Sequence, residues 1–196
     1  MIKTSFRSLI WAAGIATVVG SPACRGDAGG NRPAAGDEQR IADAMYLVMS
    51  SDRAVYAREI VDRLQNREKV IAASEHWREE KRLPLPAQMF RMGAELAREK
   101  RKDVSYDLIS KWPINTRNAP RTDAERRGME LLARDPGGRF SAEEELGSSR
   151  YFTAMYPDVA VSPACVDCHN KHEHSSRHDF RVGDVMGAIV IRIARR

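Results

Sequence analysis

Cys165-Val166-Asp167-Cys168-His169 constrains this chain more than any other stretch. C-x-x-C-H is the attachment signature of c-type haem. Thiols at i and i+3 can each form a thioether to one haem vinyl group. The histidine that follows is then placed to ligate the iron. Cys165 and Cys168 are therefore the expected anchors of one covalent haem c, and His169 its expected proximal ligand. A fold built round this motif must leave one side of a short segment open to a flat, largely apolar group. Two other chemistries use paired cysteines. A zinc site needs two more Cys or His ligands, and His172, His174 and His178 follow closely. A redox dithiol normally follows a strand in a βαβ pattern, and no such pattern is present.

The N-terminus reads as an export leader over residues 1–23. Lys3 and Arg7 make a short positive region, and Leu9 to Gly20 is apolar. That run is well below the roughly 20 residues of a membrane span. Ser21-Pro22-Ala23 supplies small residues at a cleavage site. Cleavage before Cys24 would put this thiol at the new N-terminus, where bacterial lipoproteins are lipidated and tethered to a membrane. Ordinary cleavage with a free thiol and an uncleaved tether are the alternatives. Residues 24–36 are rich in Gly, Pro and Ala and read as a flexible spacer. The expected location is periplasmic or exported, the compartment in which haem is attached covalently.

Residues 37–196 are long enough for one domain with a real core. The formal charge of the whole chain is +5. Removing residues 1–23 takes away Lys3 and Arg7 and leaves about +3, and two haem propionates would bring it to about +1. The charges are interspersed, so a nucleic-acid partner is not expected.

Apolar spacing predicts a helix over 37–66, with Ile41, Met45, Val48, Val55 and Leu64 on its inner face. A second helix is predicted over 69–81. Leu83-Pro84-Leu85-Pro86 breaks it, and a third runs from Pro86 or Ala87 to about Lys102. Val104 to Ile109 reads as a short strand. Trp112 to Pro120 reads as an ordered loop. Thr122 and Glu125 form a capping box for a helix to about Ala133. Arg150–Tyr156 and Val185–Ile193 read as strands on either side of the haem motif. The fold class is α+β, an antiparallel sheet preceded by helices.

Several stretches together resemble the Tll0287-like haem proteins. They are Arg53-Ala54-Val55-Tyr56, Leu83 to Arg91, Trp112-Pro113-Ile114-Asn115 with Asn118-Ala119-Pro120, Cys165 to Asn170, and Asp179-Phe180 with Gly183 to Gly187. The resemblance implies a PAS-like antiparallel sheet with N-terminal helices, one covalent haem, and an exported redox or sensory role. It often comes with a fused signalling module, and none is recognisable up to Arg196.

The sixth iron ligand separates the possible roles. Methionine raises the potential and suits electron transfer, whereas an open position suits gas binding. Met89 is the leading candidate, with Met92 and His76 behind it. Met89 and Met92 also share a face with Leu96, which equally suits plain packing. The family can use a cysteine thiolate, but Cys24, the spare cysteine, lies in the spacer. Arg91, Lys111 and Arg117 are candidate propionate partners. Trp112, Phe140, Tyr151 and Phe152 are expected in the core or the haem wall. No acid–base pair for peroxidase chemistry stands out, so a non-enzymatic carrier of single electrons is expected. Its partner would be a redox protein, or in a sensor a signalling protein.

Overall fold

The computed structural model describes residues 36–195. The expected leader and almost all of the expected spacer, Cys24 included, lie outside the described residues. None of the described helices is long and apolar enough to cross a membrane.

The long N-terminal helix forms, but in two gauges. Helix α1 spans Asp37–Val55 and continues without a break as a wider π-helical segment, Tyr56–Arg67. At its end the Glu68 amide donates to the Arg63 carbonyl, five residues back. The expected inner face of α1 is only partly right. Met45 packs inward with Ala42, Tyr46 and Met49. Ile41, Val48 and Val55 face solvent, 48%, 60% and 58% exposed. The small side chain of Ala42 lets the helix lie close on the sheet, and Tyr46 stacks on Tyr156 with ring centroids 4.4 Å apart. That inward set excludes positions seven residues apart through 41, 48 and 55, which point the other way.

The helix expected over 69–81 does not form. Lys69 and Lys81 both take positive φ, 57° and 52°, conformations that end a helix. Between them Ser74 Oγ accepts the His76 amide, and Gln65 Oε1 accepts the Ala73 amide. These local side-chain bonds take backbone donors a helix would have used. A two-residue parallel ladder joins β1, Ala73–Ser74, to β2, Leu83–Pro84. Helix α2 then spans Pro86–Lys100, with proline in its first turn and Gln88 Oε1 accepting the Leu85 amide.

The main sheet has four antiparallel strands in the order β3-β6-β5-β4. They are β3 Val104–Ile109, β4 Phe140–Leu146, β5 Ser149–Val159 and β6 Val185–Arg195. Strand β4 goes beyond the sequence expectation. Its alternation Phe140-Ser-Ala-Glu-Glu-Glu-Leu146 is dominated by carboxylates, and its pairing with β5 decides it. Strand β6 is central and packed on both faces, which explains its nearly unbroken apolar run. Ile189, Ile191 and Ile193 meet Ala42 and Phe90 on one side. Ala188 and Val190 meet Met129 and Leu132 on the other. Those two residues belong to α3, Asp123–Leu132, which opens on the expected Thr122–Glu125 capping box. Helix α4, Pro163–Lys171, fills the connection between β5 and β6 and carries the cysteine motif.

Candidate haem-binding site

Helix α4 places Cys165, Cys168 and His169 at i, i+3 and i+4, hence on one face. All three are half-buried, while Asp167 on the opposite face is exposed. Both thiols are free. Cys165 and Val166 pack against a small core of Ala160, Phe180 and Met186, with Trp112 at its edge. Trp112 therefore lines the site, as expected. Phe140 and Phe152 sit in the two cores that flank the sheet, the other of the two expected places.

His169 Nδ1 is buried and has no hydrogen-bond partner among the described residues. Burial lowers the affinity of its ring for a proton, which leaves a neutral imidazole with a lone pair to give. Burial, then Glu75 and Cys165, raises the Cys168 thiol above its ordinary range. The His169 ring meets Phe180 edge to face, centroids 5.9 Å apart. Phe180 is clamped by Asn170: the Asn170 amide donates to the Phe180 carbonyl and its oxygen accepts the Phe180 amide, both at 2.9 Å. The Arg177 guanidinium caps Phe180 and Trp112 at 4.3 and 4.9 Å from their ring centres.

A cavity of about 70 Å³ lies beside Cys165, walled by Tyr46, Ser50 and Arg53 of α1 and by Asp158 at the end of β5. Pockets that enclose an organic ligand measure roughly 300–1,000 Å³, so this space takes only the edge of a macrocycle. Arg53 makes a bidentate pair with Asp158, at 2.7 and 2.8 Å. Burial alone would lower its pKa, but Asp158 more than offsets this and the guanidinium is held firmly charged. Its Nη1 is buried without a partner among the described residues.

Met89 is half-buried in the first turn of α2. Its neighbour Gln88 donates to the Glu75 carbonyl at 2.8 Å, and the Glu75 carboxylate lies 3.6 Å from His172 Nε2, just past α4. The start of α2 is thus linked to the end of α4 through the 75–81 loop. Met92 Sδ accepts from Arg78 at 3.8 Å. His76 is exposed on the same loop. The candidate propionate partners are engaged elsewhere: Arg91 faces Glu95, and Lys111 holds Glu130 at 2.6 Å. Arg117 is exposed on the ordered loop, its amide held by Asn115. Among the described residues no three His, Cys, Asp or Glu side chains gather closely enough to hold a metal ion. The zinc arrangement with His172, His174 and His178 is therefore not formed.

Sequence reasoning missed Arg58, Asp62 and Asp158. Nothing in their local sequence marks them, because each acts across about 100 residues of chain. Arg53, Asn170 and Phe180 fall in the family-like stretches, but with no role attached.

The solved structure "Crystal structure of the cyanobacterial heme-protein Tll0287" shares this fold, with a TM-score of 0.53 at 13% identity over 83% of this chain and 98% of that one. No curated protein matches the chain. A family model described as Tll0287-like matches residues 32–194. On that match, which runs through the helices, the sheet and the cysteine motif, the chain belongs to the Tll0287-like family.

Proposed function

We propose that this protein binds one haem c, attached through Cys165 and Cys168 with His169 as proximal ligand, and exchanges single electrons outside the cytoplasm. The observation that carries the reading is the common face of α4, where two free thiols adjoin a neutral, buried imidazole whose Nδ1 lacks a partner among the described residues. Tll0287, whose fold this chain shares, is a cyanobacterial heme protein, which supports haem here. Haem iron supplies one-electron exchange when bound. The small cavity beside Cys165 suits covalent attachment, since two thioethers would hold a cofactor that this space does not enclose.

Phe180, clamped by Asn170, holds the imidazole plane from one side. Met89, half-buried in the first turn of α2, is the proposed sixth ligand; the contacts of its neighbour Gln88 with Glu75, and of Glu75 with His172, support that choice. The leader over 1–23 would deliver the chain to the periplasm, and lipidation at Cys24 would tether it there. A second reading is a PAS-like redox or gas sensor that reports to a separate partner. It is favoured by the direct ties of α1 and its π-helical continuation to the segment entering α4, through which a change at the iron would reach the N-terminal helix.

Spectroscopy of the purified, exported protein separates these readings. Haem should remain with the polypeptide after denaturation and acid extraction. The Cys165→Ala, Cys168→Ala double variant should lose it; haem that still resists extraction from that variant defeats the proposal. A six-coordinate, low-spin iron that refuses CO after reduction supports electron transfer, and its spectrum should change in Met89→Ala. Ready CO binding to a five-coordinate iron decides for sensing.

A further inference from the structure

The segment that leads into the cysteine motif is held from outside at three successive points. Arg53 grips the Asp158 carboxylate with two hydrogen bonds. Arg58 Nε donates to the Val161 carbonyl at 2.9 Å. Asp62 Oδ1 accepts the Ala164 amide at 3.2 Å. The held residues step by three, 158, 161 and 164, and end one residue before Cys165. The holding residues all belong to α1 and its π-helical continuation.

The third contact is a helix cap supplied from another element. First-turn amides have no partner inside their own helix. Ser162, at the cap position of α4, makes no side-chain capping bond; its hydroxyl lies 3.4 Å from Cys165 Sγ instead. Asp62 is 9% exposed. Asn66 Nδ2 donates to it at 2.8 Å, and Arg67 lies 3.7 Å away. A fixed carboxylate at a helix N-terminus both accepts an amide and complements the helix dipole.

We infer that Asp62 is a positioning residue for the haem ligand: by capping α4 in place of Ser162 it sets the pitch of that helix, and so the angle at which His169 meets the iron. The inference rests on the haem reading above. Its effect is on ligand geometry rather than on attachment, since two covalent thioethers persist through a change in the pitch of the helix.

The test uses the full-length, haem-loaded protein with Asp62→Ala and Asp62→Asn. Both variants should retain covalent haem. Asp62→Ala should shift the low-spin g-values and the midpoint potential, while Asp62→Asn, which keeps an acceptor, should stay close to wild type. Amide hydrogen exchange over residues 164–168 of the haem-free protein should rise about fivefold in Asp62→Ala, the loss of a cap of ~1 kcal/mol. Asn66→Ala, which frees Asp62 from its neighbour without removing it, should move the same readouts less and covers the case in which Asp62→Ala does not fold. Wild-type g-values, potential and exchange in Asp62→Ala overturn the inference, as does an Asn variant that behaves like Ala. Wild-type protein without covalent haem overturns the proposed function instead, and the exchange measurement still decides the capping role.

Discussion

Arg192 and Arg53 are both largely buried, and they are held in different ways. Arg192 projects from the central strand β6 between α3 and β4. Its Nη2 lies 2.6 Å from Glu125, and its Nε faces Glu144 at 3.5 Å. Thr153 of β5 steadies Glu144 with a hydroxyl bond of 2.6 Å. Two carboxylates, from α3 and β4, thus meet the guanidinium carried by β6, and β5 braces one of them. Arg53 has one carboxylate, Asp158, and keeps a buried Nη1 unpaired among the described residues, on the wall of the cavity beside Cys165. The first arrangement closes a face of the sheet far from the thiols. The second joins the N-terminal helix to the site through a single carboxylate. Each arginine keeps one buried nitrogen without a hydrogen bond among the described residues, Arg192 Nε and Arg53 Nη1; what differs is the number of carboxylates around the charge, two against one.

Removing each arginine sharpens that contrast. Arg192→Met strands two carboxyl groups that are 5% and 7% exposed. Breaking a buried charge set costs about 3–5 kcal/mol, and this variant should lie at the upper end in a denaturant titration. A loss below about 2 kcal/mol would break the view of Arg192 as the pin of that face. Arg53→Met strands Asp158 alone and should cost about 3 kcal/mol. Adding Asp158→Leu should then recover most of the loss, because an apolar pair replaces a buried ion pair at little cost. Adding Glu125→Gln to Arg192→Met should recover only part, since Glu144 stays behind. Equal recovery in the two double variants would erase the distinction.

The sequence made the site more legible than the contacts that hold it. Cys165, Cys168 and His169 share a helical face because their spacing requires it. The Thr122–Glu125 capping box was readable because its partners lie three residues apart. The pair Arg53–Asp158 and the cap Asp62–Ala164 were not readable, because they join points 105 and 102 residues apart. The inner face of α1 departs from its apolar pattern for a related reason. Ile41, Val48 and Val55 are the larger apolar residues, yet the sheet accepts Ala42, whose size permits close approach, and the stacked Tyr46. Over 69–81 the composition allowed a helix, and bonds from Gln65 and Ser74 overruled it. Local pattern fixes which residues share a face; packing partners elsewhere in the chain decide which face is turned inward.

The smallest expected effect concerns pH, and it probes the crowded side of the comparison. Burial alone would raise the Glu125 carboxyl, but Arg192 and the backbone amides of Arg121 and Thr122 outweigh it and hold the group below its ordinary value of 4.5. A carboxyl depressed in the folded state contributes stability that is present above the unfolded value and lost as pH falls through the folded one. Wild-type stability should therefore begin to fall below about pH 4.5 in part through Glu125. Glu125→Gln keeps the shape and an acceptor for Arg192 but cannot titrate, so its stability profile should be flatter over that acid range. Asp158 beside Arg53 offers the matched control: Asp158→Asn should leave the Glu125 limb of the profile in place. An acid limb unchanged by Glu125→Gln would move the origin of the acid sensitivity away from the Arg192 cluster and leave that cluster as a packing device alone.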